Sequence, residues 1–380
     1  MRKRYRFVLC ASHLSSNLHM GHRNESTGPR LSRGEIREHF RSFRDSSGRR
    51  ATVLVVTDSF LYISVLAIGI IVPNLLGKFL IGCALGVLIA RLFILGHDAC
   101  HGSLFPSSTA NRLACRFLFL SPLVTPSLWA LGHNTIHHGY PNLKGRDRVW
   151  VPFSPEEWRM LPRHRQYLER IYRHPLGLGL YYLIELWWKT LLFPSRRDVA
   201  VIRMDHVRDS VIVTGYLLAL LSVVIAPDPG HALENVPLLV VLPYLLWCWL
   251  MGFVTFVHHT HPSVRWFDKK SEWSFLEGQV ESVVQAGLPI WFNRLLHNIF
   301  DHTAHHVDMR IPCYQLPQAQ QKVQNVFAGH LVVQRWKWRR FREIAAKCQI
   351  YDYRSHRWLQ FPSYSAGAHR RLDRASEDLT

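Results

Sequence analysis

An all-α, polytopic membrane fold, with four transmembrane helices in two hairpins and a cytosolic helical cap, is predicted by three observations. First, 48% of the 380 residues are hydrophobic and only 19% are charged, below the ~25% charged residues of ordinary soluble domains. Second, the apolar residues gather into two stretches, each about twice the ~20 residues that one crossing needs. Third, the charge is one-signed, with 46 Lys and Arg against 27 Asp and Glu and a formal net charge of +19. It lies mostly outside those stretches, as the loops of a membrane protein carry it. A disordered chain would be less apolar, and a soluble nucleic-acid binder would explain the charge but not the apolar runs. The seven Cys are scattered and form no CxxC pair. That excludes a disulfide scaffold or a Cys-type zinc module and fits a reducing compartment.

The elements follow in order. Residues 1–50 are a polar arm with 12 Lys and Arg, several of them at Arg2, Lys3, Arg4 and Arg6. The apolar run from Phe7 to Ala11 is too short for a signal-peptide core of about 7–15 residues, so the arm is expected to remain as a cytosolic segment. A membrane domain follows over 51–330. Its first apolar stretch, Ala51 to Leu95, is broken by the turn signal Pro73-Asn74 and predicts helices at 53–72 and 75–93. The second, Val211 to Val257, is broken by Pro227-Asp228-Pro229-Gly230 and predicts helices at 209–226 and 236–257. Residues 97–208 and 258–330 form the cap. Within it, Leu113–Leu131, broken by Pro122 and Pro126, and Leu176–Phe193, containing Glu185 and Lys189, read as half-buried interfacial segments. Residues 331–380 are a basic cytosolic tail. There Val332–Lys347, with Trp336, Lys337, Trp338, Arg339 and Arg340, reads as a basic amphipathic helix on the membrane surface or as a solvated helix. The turns at 73–77 and 227–235 hold no Lys or Arg, so the arm, the middle segment and the tail face the cytosol.

Histidine carries the chemical signal. Twelve of the 23 His lie within 97–138 and 258–306. Three tight motifs stand out: His97 and His101; His133, His137 and His138; and His302, His305 and His306. On a helix, residues three and four apart share a face, about 5–6 Å between Cβ atoms. Neutral imidazoles converging in this way ligate transition metals. Eight are too many for one tetrahedral zinc and suit two metal ions. Arg91 precedes His97 by six residues, about 9 Å along a helix. It is expected to mark the membrane interface while the histidines project beyond it. All three motifs then meet on the cytosolic side. No Glu-x-x-His pair and no His-Glu-x-x-His motif occurs, so neither a di-iron carboxylate bundle nor a zincin site is indicated.

With these residues the chain resembles the integral-membrane fatty acid desaturases, whose three histidine boxes have these spacings and this order. It is most similar to the plant-type delta-12 and omega-3 acyl-lipid group. Arg146-Asp147-Arg148-Val149-Trp150-Val151-Pro152 follows the second box, His259-Thr260-His261-Pro262 ends the fourth helix, and Pro312-Cys313-Tyr314 follows the third box. The resemblance covers about residues 50–330. The first box departs from the group, reading His97-Asp98-Ala99-Cys100-His101 where Glu often stands second.

The resemblance implies two Fe2+ ions held by the box histidines, O2 as co-substrate, and removal of two hydrogens from adjacent methylenes to leave a cis double bond. A ninth ligand is expected between the second and third boxes, with His259 and His261 the first candidates and His297 the next. Asp98, Asn134, Asp147 and Asp301 can fix ligand tautomers or serve as ordinary loop polars. Trp247, Trp249, Trp187 and Trp188 line an acyl tunnel or anchor the helices at the interface. The substrate is an acyl lipid or an acyl thioester in the bilayer. The chain shows neither a soluble haem domain nor clustered Cys for an iron–sulfur centre, so a ferredoxin or a cytochrome b5-like protein is the expected electron donor. A di-iron lipid or carotenoid hydroxylase or ketolase on the same scaffold is the alternative, and a His-rich membrane metal transporter a more distant one. A transporter would carry ionisable groups at mid-membrane depth.

Overall fold

Among the described residues, four helices are long and apolar enough to cross a membrane: Gly48–Ile71, Leu75–His101, Met204–Ile225 and Pro229–His259. The structure, a computed structural model, describes residues 32–192 and 203–362. Most of the predicted arm and the end of the tail lie outside these. The first hairpin is set by its caps. Ser47 Oγ accepts the Arg50 N–H at 3.3 Å, and beyond Pro73, Asn74 Oδ1 accepts the Gly77 N–H at 2.7 Å. Each side chain satisfies one of the donors that a helix start leaves open.

The two hairpins divide into inner and outer helices. In the most apolar windows of the second and fourth spans, 61% and 50% of residues are buried, against 22% and 17% in the first and third. The inner pair can approach closely because Gly82 and Gly86 stand at the contact. A Cβ at Gly82 would lie 2.2 Å from Leu238 O, and one at Gly86 would lie 2.9 Å from Pro243 O. Small residues four apart permit this approach, and packing then holds helices together in lipid. The outer pair leaves Phe60, Ile63, Val211 and Leu218 exposed, as lipid contact requires.

The second span runs further than its apolar composition predicts. Nothing breaks it until Gly102, whose φ of +73° ends the helix in the left-handed conformation. The first motif therefore sits on the span itself. The two apolar pieces of the cap form short helices, Ser108–Leu118 and Pro126–His137 in one and Leu178–Leu192 in the other. The Trp187 indole N–H donates to Leu123 O at 2.7 Å and ties the two together. Trp247 is fully buried while Trp188 is half exposed.

The described end of the arm, residues 32–47, packs onto the cap: Ile36 and Phe40 are fully buried, and Phe40 stacks on Phe327 with ring centroids 6.3 Å apart. One expectation changes. The tail segment predicted as one helix is a strand followed by a helix. Val332–Arg335 pairs in parallel with Val284–Gly287, and the helix is only Trp338–Lys347. Val332 and Val333 favour a strand, and the partner strand lies too far away in sequence for local periodicity to show it. The helix does have the predicted two faces, with Phe341 buried and Arg339, Arg340 and Arg342 exposed. A second short pair, Ile350–Asp352 with Arg357–Leu359, is antiparallel. Among the described residues the remaining regular elements are helices.

Candidate metal centre

Each histidine motif is placed by a different local device. His97 and His101 lie one turn apart on the second span, ring centroids 4.5 Å apart. The second motif starts from a helix opened by Pro126 that widens over Ala130–His137. There the His138 N–H donates to His133 O at 2.9 Å, an i to i−5 bond. Such widened turns recur at functional sites. Here the extra residue per turn lets His137 and His138 flank the direction of His133 and point to different places. The third motif is the short helix His302–Val307, whose consecutive His305 and His306 also diverge. Its neighbour is the end of the fourth span, with His258 and His259.

The result is two adjoining sets. His97, His101, His133, His138 and His305 form one, and His137, His259 and His306 the other, ligand atoms within 4.8 Å of one another in each. His302 joins the second through His306, Nε2 to Nε2, 3.1 Å. The doublets His137-His138 and His305-His306 thus each give one residue to each set.

The donor atoms suit metal ions better than hydrogen bonds. In the five-histidine set the Nε2 atoms face one another in series: His101 to His97 at 3.3 Å, His97 to His133 at 3.1 Å, His133 to His138 at 3.1 Å and His138 to His305 at 3.0 Å. A neutral imidazole carries one N–H. His97 has its proton on Nδ1, which donates to Asp98 Oδ1 at 3.0 Å, so its Nε2 presents a lone pair. The Nδ1 atoms of His101, His138 and His305 are buried without hydrogen-bond partners among the described residues, so these rings are not satisfied by hydrogen bonds alone. A cation at the convergence removes the conflict. Metal–nitrogen bonds of about 2.0–2.1 Å put neighbouring ligand atoms about 2.9–3.4 Å apart at angles from 90° to tetrahedral, the range seen here.

The second set has the same character. His137 Nδ1–H donates to Asp147 Oδ1 at 2.9 Å and His306 Nδ1–H to Gln279 Oε1 at 2.9 Å, leaving both Nε2 lone pairs free. Neither ring nitrogen of His259 has a hydrogen-bond partner among the described residues, and both are buried. Burial first, then the neighbouring imidazoles, pushes the pKa of His133, His138, His302, His305 and His306 well below the ordinary histidine value. These rings are neutral at pH 7, the form that binds metal.

The other residues singled out from sequence fall in different places. Asp98 and Asp147 each hold a motif histidine. Asn134 Nδ2 instead donates to Cys100 O at 2.9 Å. Asp301 accepts from Asn293 at 3.0 Å, and burial pushes its carboxyl up to about 6. Of the three candidates between the second and third motifs, His259 is in the second set. His261 is outside both: its Nδ1 accepts the Ser263 N–H at 3.1 Å and its Nε2 meets Gln334 Oε1 at 3.2 Å. His297 is outside too, with Nε2 2.6 Å from Asp58 Oδ2. Two residues were missed. His258 stacks on His302 with ring centroids 3.9 Å apart, and its place in the His-His-Thr-His run could have marked it. Gln279 donates to His138 O at 2.7 Å while holding His306, and nothing in the linear pattern around it reveals this.

An apolar cavity adjoins the sets. Leu128, Trp129, Tyr182, Leu186 and Leu191 line it, with His133 and His137 in its wall.

The profile of a family described as fatty acid desaturase matches residues 73–338. An sn-1 oleoyl-lipid 12-desaturase of Picosynechococcus is 26% identical over 284 residues, covering 73% of this chain and 78% of that protein. A chloroplastic omega-6 fatty acid desaturase of Brassica napus is 29% identical over 280 residues, 70% of this chain and 58% of that longer protein. An endoplasmic-reticulum omega-3 fatty acid desaturase of Vigna radiata is 28% identical over 266 residues, 65% of this chain and 64% of that protein.

Proposed function

This chain belongs to the fatty acid desaturase family, and from that premise we propose that it places a cis double bond in the acyl chain of a membrane glycerolipid, with two irons held by nine clustered histidines. It is a membrane enzyme of lipid metabolism. What supports the metal reading is the pair of buried histidine sets beside an apolar cavity. An unactivated C–H bond has no proton acidic enough for a side-chain base, so acid–base catalysis alone cannot remove it. Iron, when bound, supplies the O2-dependent redox chemistry for that removal.

The rest falls to the chain's own residues. His97, His101, His133, His138 and His305 offer lone pairs to one ion, and His137, His259, His302 and His306 to the other. Asp98, Asp147 and Gln279 fix the tautomers of His97, His137 and His306, the orienting role that partners of metal ligands play. Leu128, Trp129, Leu186 and Leu191 form a dry wall that holds an extended acyl chain with one C–C bond toward the histidines. Over a turnover two C–H bonds break and one C=C forms. O2 leaves as two waters after taking two electrons from an external donor and two protons.

The basic segments and the histidines face the cytosol, with both termini on that side. This follows from the absence of Lys and Arg in the turns at 73–77 and 227–235. A ferredoxin or cytochrome b5-like donor docks on that basic face. The named activity of the cyanobacterial relative favours an oleoyl lipid as substrate and the bond at position 12 as product. Expression in a host without desaturases, with a matched donor and gas chromatography–mass spectrometry of each lipid class, tests this. A new double bond at position 12 of lipid-bound oleate is expected. Hydroxyl or keto products would favour the hydroxylase alternative, and unchanged lipids would refute the reading.

A further inference from the structure

Asp58 is a fully buried carboxylate within the first span, and no part of the metal reading uses it. Its Oδ1 accepts from Arg91 Nη2 at 2.7 Å and Nε at 3.2 Å. Its Oδ2 accepts from His297 Nε2 at 2.6 Å. Arg91 also donates from Nη1 to Leu295 O at 2.5 Å. Two ionisable residues of the spanning helices therefore grip one loop, the approach to the third histidine motif. A buried carboxylate is costly unless it is paired and hydrogen-bonded, and here both of its oxygens are. A pair that served only to join the first two spans would need neither His297 nor Leu295.

The grip continues toward the metal centre. His297 and Asn298 have φ of +48° and +60°, the left-handed region that non-glycine residues keep only where their surroundings hold them. Asn298 Nδ2 donates to Cys313 O at 3.1 Å. The Cys313 N–H donates to Asp98 Oδ2 at 2.5 Å. Asp98 Oδ1 accepts from His97 Nδ1. The segments before and after the third motif are thus held between an aspartate of the first span and the aspartate that orients the first motif.

We propose that Asp58, Arg91 and His297 form a latch that sets the third histidine motif in register with the first, making Asp58 and His297 positioning residues for the metal centre. The third motif gives His305 to one set and His302 and His306 to the other. A slip of its approach loop misplaces ligands in both. The latch acts through the loop and touches neither metal nor substrate. It rests on the two-iron reading.

His297→Leu separates the latch from simple helix adhesion, because it leaves the Asp58–Arg91 pair intact. Full-length protein is purified in detergent, loaded with Fe2+ without oxygen and challenged with a chromogenic chelator. The unfolding temperature of metal-free protein is measured alongside. His297→Leu is expected to release both irons ~10-fold or more faster, beyond what any fall in the metal-free unfolding temperature accounts for. His297→Gln, which can still donate to Asp58, should restore most of the retention. Asn298→Gly keeps the left-handed backbone, loses the bond to Cys313 and should also speed release. It stands as the independent variant if His297→Leu accumulates poorly. Wild-type release rates in His297→Leu or Asn298→Gly overturn the latch, as does iron loss that merely tracks a fall in metal-free stability. Wild-type protein that takes up no iron overturns the two-iron reading and the latch with it.

Discussion

Asp147→Asn changes one carboxylate oxygen to an amide NH2 and leaves the shape of the side chain unaltered. In the folded chain this buried carboxylate accepts four donors. Its Oδ1 takes His137 Nδ1 at 2.9 Å, the Arg148 N–H at 2.7 Å and the Val149 N–H at 3.1 Å. Its Oδ2 takes the Asn142 N–H at 2.9 Å. Asn keeps the most bonds by leaving its oxygen toward the first three, so its NH2 meets the Asn142 N–H. One buried donor then loses its acceptor, at about 1–3 kcal/mol. The bond to His137 also loses its charge assistance. The effect on metal should appear only where His137 acts. The four-histidine set is expected to bind Fe2+ about 10–100-fold more weakly, equivalent to ~1.4–2.7 kcal/mol. The five-histidine set, oriented by Asp98, should change by less than about threefold. Anaerobic titration against a competing chelator resolves the two affinities. Equal weakening of both, or no change in either, would refute the assignment of Asp147 to one set.

Three further outcomes are expected. His138→Ala and His305→Ala each remove a ligand from the five-histidine set and should abolish desaturation while the protein still accumulates in membranes; full activity in either would contradict the ligand assignment. Leu186→Trp fills part of the apolar cavity, so product from long acyl chains should fall at least tenfold with iron content unchanged, as lipid analysis and metal assay would show. The third concerns acid. His133, His138, His302, His305 and His306 stay neutral in the folded chain at pH values where an unfolded chain has protonated them. Below pH ~6.5 the unfolded state therefore binds more protons, and stability falls as pH falls, by up to about 1.4 kcal/mol per pH unit for each histidine. The unfolding temperature of metal-free protein should be flat from pH 7 to 8 and drop between 6.5 and 5. A flat profile down to pH 5 contradicts it.

The spans were legible because bilayer thickness and the two Pro-containing turns act locally, and the structure moves their ends without changing their number. The histidine motifs were legible as motifs but not as two sets. A spacing of i and i+4 groups His133 with His137. The widened turn instead brings His138 to His133 and sends His137 to the other set, and no composition rule announces such a turn. Arg91 reads from sequence as an interface marker because it is a lone charge near the end of the apolar stretch, six residues before His97. Its partner Asp58 lies 33 residues away, inside a run that reads as plain span. The strand Val332–Arg335 and the orienting Gln279 escape for the same reason: each depends on a contact made only by the folded chain.

Iron-edge anomalous scattering from crystals of the iron-loaded protein tests the two-set reading most directly. Two peaks are expected, one among His97, His101, His133, His138 and His305, the other among His137, His259, His302 and His306. A single peak, a peak at His261, or zinc in place of iron at both positions would contradict it.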